Sequence, residues 1–143
     1  MIFKYLEFPL DNKSPILGES ILRPIIPIRI LHNGVRAKYA ALIDSGADFC
    51  IFDAEIGEYL GIDVKSGLEE TFGGVQENGG AVAFFHEITL GIGDYSLQTP
   101  VGFSYDIAKH GYGLLGQKGF FDIFVVKFDL VKKEIELKER SYN

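Results

Sequence analysis

The chain has 143 residues, 47% of them hydrophobic, a formal net charge of -6 and a sequence pI near 5.0. That length suits a single domain, 1–143, with its own core. The acidic balance argues against a nucleic-acid partner, which needs a basic face, and no apolar run approaches the ~20 residues of a membrane span.

Residues 1–9 predict a strand and 11–19 a loop, so that 1–20 forms an N-terminal arm. The segment 24–31, Pro24-Ile-Ile-Pro27-Ile-Arg-Ile-Leu31, is extended. Its two prolines cannot donate ladder hydrogen bonds, which predicts an edge position. Asn33-Gly34 is a two-residue hairpin signal. Residues 35–39 then alternate apolar with charged, as a half-buried strand does. From Ala40 to Ile43 the run is wholly apolar, so the strand enters the core and delivers Asp44 there. A carboxylate in that place is costly unless something pairs with it or shares its proton. Asp44-Ser45-Gly46 occurs once in the chain.

Residues 49–52 predict a short strand, and Asp53 caps a helix running to about Leu60, with Ile56, Tyr59 and Leu60 on one face and Gly61 at its end. Strands at 69–72 and 81–85 flank a glycine-rich stretch from Gly73 to Gly80. Residues 88–92 alternate, Gly93-Asp94 turns, and 95–103 returns. A loop follows at 106–112, then a short strand Gly113-Leu114-Leu115-Gly116 and about one helical turn through Phe121. Strands at 124–129 and 134–138 make a terminal hairpin within 124–143. Many short strands with regular turn signals predict a small all-β barrel or sandwich.

The lone Cys50 reads as a buried thiol in a reducing compartment. The first residues lack the layout of a signal peptide, so a cytoplasmic protein is expected. His32, His86 and His110 show no metal-ligand spacing, and no glycine-rich nucleotide loop is present. No metal and no cofactor are expected.

The order of these parts resembles the retropepsin-like aspartic proteases. A hairpin leads into Ala41-Leu-Ile-Asp44-Ser45-Gly46-Ala47-Asp48. A glycine-rich hairpin tip follows, and then Gly113-Leu114-Leu115-Gly116 with a short helix behind it. The resemblance runs from about Pro24 to Phe128. It implies a closed six-stranded-type barrel with a flap hairpin and one or two short helices. It also implies an aspartic endopeptidase that works as a homodimer, because one chain carries one candidate carboxylate. Two Asp44 side chains would share a proton and activate one water, and their titration would belong to the pair. By resemblance Ser45 bonds across the dimer and Gly46 lets the backbone approach the site. Ala47, Asp48, Gly73, Gly74, Val75, Gly79 and Gly80 meet an extended peptide, bound as an added strand. Leu114, Leu115 and Gly116 support the catalytic loop. Viral members carry Arg after that glycine, paired with the Asp at the Asp48 position. Here Gln117 stands there, with Lys118 as a substitute cation.

The plainer readings are a turn aspartate at Asp44, a structural hydroxyl at Ser45, an ordinary hairpin tip at 73–80 and core leucines at 114 and 115. The alternative function is a weak or inactive module of the same fold that dimerises or binds peptide.

Overall fold

A computed structural model describes residues 1–73, 80–107 and 111–141. Among the described residues twelve strands carry most of the chain, and their pairing follows from the alternation of apolar and polar residues. Strand β4 (Ile25–His32) and β5 (Val35–Ile43) form a hairpin. Its two-residue turn places Asn33 and Gly34 at positive φ, 47° and 79°, as a mirror-image type I turn requires. Strand β6 (Ile51–Asp53) leads into the short helix α1 (Ala54–Tyr59), whose first turn is capped by the Asp53 carboxylate accepting the Glu55 N–H at 2.9 Å. Strands β7 (Leu68–Phe72), β8 (Ala81–Ile92) and β9 (Tyr95–Ser104) form an antiparallel meander.

Strand β10 (Gly113–Leu115) completes the main sheet, with the order β4-β5-β10-β6-β9-β8-β7 and a further pairing of β4 with β8. The hydrogen bonding therefore runs in a closed circuit through six strands, with β7 outside it. Ile26, Ile28, Ile30, Ala41, Leu90, Phe103 and Leu115 lie within the single buried cluster that this circuit surrounds. A second sheet joins β1 (Ile2–Lys4), β11 (Phe124–Asp129) and β12 (Glu134–Glu139) in the order β1-β12-β11. Phe124, Ile135 and Leu137 from that sheet fill the same core.

Several expectations change. The segment predicted as a loop at 11–19 lies in a two-stranded ribbon of β2 (Leu6–Ser14) and β3 (Gly18–Arg23). Two short half-apolar runs either side of Pro15 concealed it. Strand β4 is not an edge strand, because it pairs with β5 throughout and with β8 over Arg29, Ile30 and Leu31. Both prolines precede the stretch that β8 reaches, so neither interrupts that ladder. On α1 the inward face is Ala54, Gly57 and Leu60, whereas Tyr59 is 68% exposed. Gly57 packs closely there: a Cβ would lie 3.0 Å from side-chain atoms of Phe103 and Val64. The segment after Gly116 is a series of turns closed by bonds such as Phe124 N to Phe120 O, and a 3-10 turn at Val64–Ser66 was not foreseen. Among the described residues no helix is long and apolar enough to cross a membrane.

Candidate active site

The loop carrying Asp44 is built by strand insertion. β5 enters it and β6 leaves it, and β10 lies between them, parallel to β5 and antiparallel to β6. The Asp44 N–H donates to the Leu115 carbonyl at 3.0 Å, which fixes the point where β5 ends. The carboxylate then turns back over its own loop. Its Oδ1 accepts the Gly46 N–H at 2.9 Å, and the Asp44 carbonyl accepts the Ala47 N–H at 3.1 Å. A Cβ on residue 46 would sit 3.2 Å from that Oδ1, so glycine leaves the carboxylate its place.

The segment after β10 secures the loop from the other side. The Gln117 N–H donates to Ala47 O at 2.8 Å and the Lys118 N–H to Asp48 O at 2.9 Å. The Gln117 side-chain amide donates to Ser45 O at 3.0 Å. Gly116 passes so close beneath the loop that a Cβ would lie 2.2 Å from Phe49 O and 2.6 Å from Ala47 O. Cys50 lies at the base, fully buried. Its Sγ accepts the Gly116 N–H and its thiol donates to Lys118 O, both at 3.5 Å. Burial pushes this thiol up to about 12. Five loop carbonyls, those of Asp44, Ser45, Ala47, Asp48 and Cys50, thus have protein donors, the last from Gly102 N at 2.9 Å. A loop bound at each of these points holds its side chains in a set geometry.

A cleft of about 330 Å³ opens above the loop. Asp44, Gly46, Ala47, Asp48, Gly73 and Leu114 line it, together with Phe49, Ile51 and Phe72, which sequence reasoning did not select. Two of the missed side chains had a signal: Phe49 and Ile51 follow the selected Ala47 at spacings of two, as residues on one face of an extended chain do. Phe72, the last residue of β7, and Gly73 after it thus line the same cleft as the Asp44 loop. Ser45 is exposed and lies outside the cleft lining. Leu115 and Gly116 are buried behind the loop, and Gly80 stands close to the Phe72 carbonyl at the root of the hairpin. Gly74, Val75 and Gly79 lie outside the described residues.

The expected Lys118 substitution does not occur. The Lys118 ammonium pairs with Asp122 at 3.5 Å, one helical spacing away, and its contact with Asp48 is made by the backbone. The Gln117 amide reaches Ser45 rather than the Asp48 carboxylate. Among the described residues no three His, Cys, Asp or Glu side chains gather as a metal site.

No protein-family model matches the chain, and no curated protein matches it. Solved structures do. A retropepsin-like aspartic protease from Rickettsia conorii is 20% identical, with a TM-score of 0.54 over 78% of this chain and 88% of that one. The EIAV protease complexed with the inhibitor HBY-793 is 17% identical, with a TM-score of 0.47 over 74% of this chain and 88% of that one. The chain therefore has the fold of the retropepsin-like aspartic proteases.

Proposed function

We propose that this protein is an aspartic endopeptidase whose active site forms when two copies bring their Asp44 carboxylates together. The observation that carries this reading is the position of Asp44. It stands at the mouth of the cleft, on a loop braced from both sides, and its Oδ1 is oriented by the Gly46 N–H. One chain supplies one such Asp-Ser-Gly loop, and a water held between carboxylates needs two. A symmetric homodimer meets that need.

In the dimer the two carboxylates would share one proton. The ionised member takes a proton from the water as general base, and the protonated member donates to the scissile carbonyl oxygen. The water oxygen then bonds to the carbonyl carbon, and collapse of that adduct breaks the C–N bond as the amine leaves protonated. Ser45 would hold the paired loops in register. An extended peptide would lie across Ala47 and Asp48 beneath the β7–β8 hairpin, bonded through its main chain. The hairpin would act as the flap, with Gly73 and Gly80 toward the bound peptide. Phe49, Ile51, Phe72 and Leu114 would favour apolar side chains in the substrate.

The test is Asp44→Asn. Peptide hydrolysis is expected to fall by roughly a thousandfold or more. Circular dichroism and the sedimentation coefficient should stay as in the wild type, because the asparagine keeps the shape and one acceptor oxygen. Undiminished cleavage by that variant would falsify the mechanism.

A further inference from the structure

The β2–β3 ribbon is the part of the molecule that the proposed chemistry leaves unused. Among the described residues its two strands pair only with each other, and the buried core draws nothing from residues 6 to 24. One of its faces is nonetheless largely apolar. Phe8 stands opposite Ile21, and Leu6 lies two residues from Phe8, so these three share a face. Arg23 stands opposite Leu6 at the root of that face. The other face carries Glu7 and Ser20, hydrogen-bonded at 2.6 Å, with Leu22 opposite Glu7 and Pro9 opposite Ser20. The tip is a formed turn in which Ser14 Oγ accepts the N–H groups of Ile16 and Leu17. It presents Ile16 at 92% exposure and Leu17 at 58%.

A two-stranded ribbon is marginal in water without something to pack on. Here the side-chain ion pair to the body joins Glu7 to Lys133 at 3.6 Å, with both partners about half exposed, and such pairs contribute little. An apolar face and tip presented in this way, on a ribbon with two open hydrogen-bonding edges, mark a surface for another chain.

The ribbon's place in the fold selects that chain. Its root joins β4 through Pro24, whose carbonyl accepts the Ile43 N–H at 2.9 Å, one residue before Asp44. β4 runs away from that point, since Ile25 faces Leu42 and His32 faces Val35. The ribbon therefore leaves the body at the Asp44 end of the sheet. Its charges are Lys13 and Arg23 against Glu7, Asp11 and Glu19, a balance that does not favour an anionic lipid surface or nucleic acid.

We propose that the ribbon is a dimer arm: its apolar face and the Ile16–Leu17 tip lie on a second copy of this chain and hold the two Asp44 loops together. The inference rests on the homodimer reading above. By symmetry each arm would embrace the other body, so every substitution acts twice.

Two measurements on the full chain test it. In sedimentation equilibrium, Ile16→Lys combined with Leu17→Lys should raise the dimer dissociation constant by about a hundredfold or more. Hydrogen exchange of the wild type needs no variant: amides of residues 6–23 should exchange at least about tenfold more slowly in the dimer than in dilute monomer. A wild-type dimer with an unchanged constant in the variant and unchanged ribbon exchange overturns the arm and leaves the homodimer reading standing, the ribbon then serving some other occupant. A wild type that stays monomeric up to roughly millimolar concentration overturns both.

Discussion

The Asp44 loop and the β2–β3 ribbon stand at the same end of the sheet and are built on opposite principles. The loop is satisfied almost entirely from within the chain: backbone donors from Gly102, Gln117 and Lys118 and a side-chain donor from Gln117 take up its carbonyls. The ribbon has an internal bond between Glu7 and Ser20 on one face, while on the other Leu6 and Phe8 stay exposed. The loop is thus held in a set geometry, and under the proposed function its Asp44 carboxylate needs a second copy. The ribbon is geometrically formed and has no core to rest on. Under the two proposals, a site that needs exact placement is carried on inserted strands, whereas a surface that needs a partner is left on a separate hairpin.

The sharpest way to break the contrast is Gly116→Ala. The new methyl would overlap two backbone carbonyls that no rotamer change can move, so a loss of about 3 kcal/mol or more is expected in urea unfolding. A loss below about 1 kcal/mol would mean that the loop is looser than described.

Alkaline pH probes the base of the same loop. The Cys50 thiol keeps its proton up to about 12 in the folded state and has an ordinary value of 9.0 when free. Between those limits the unfolded chain binds fewer protons than the folded one, so stability falls as pH rises. This one group contributes a slope of up to about 1.4 kcal/mol per pH unit. Unfolding titrations from pH 9 to 12 should show that slope reduced in Cys50→Ala; an identical slope in the variant would assign the effect elsewhere.

Gln117→Ala removes one amide bond to an exposed residue. Stability should drop by about 1 kcal/mol or less, and under the proposed function the cleavage rate should fall by up to roughly tenfold through misplacement of the loop. Equal rates in variant and wild type would show that the backbone bonds alone position Asp44. The ribbon gives the smallest effect. Ile16→Asn, measured in dilute monomer, should shift unfolding by no more than about 0.5 kcal/mol. A larger shift would place Ile16 against its own body.

Much of this arrangement was readable beforehand where one local rule governs one segment. Asn33-Gly34 dictated the β4–β5 turn, Asp53 the start of α1, and alternation β11, β12 and the second half of β8, whose two expected pieces form one strand. The prediction failed where a neighbour decided. The prolines of β4 implied an edge, yet β8 pairs only with the stretch beyond them. Tyr59 has a core-like character and faces water, because the face of α1 that fits against Phe103 is the one carrying Gly57. Lys118 had the right charge for Asp48, but the turn after Gly116 aims it at Asp122.

From sequence alone came the apolar run that ends in Asp44, the single Asp-Ser-Gly triplet and the Gly-Leu-Leu-Gly element. These depend on residue type and short spacing, which local chemistry controls. Only the tertiary structure placed β10 between β5 and β6, set Phe49, Ile51 and Phe72 around the cleft and brought the root of the ribbon beside Ile43. Each of those joins residues far apart in the chain. Such pairings are chosen by mutual burial and hydrogen bonding across the whole sheet, which no local pattern encodes.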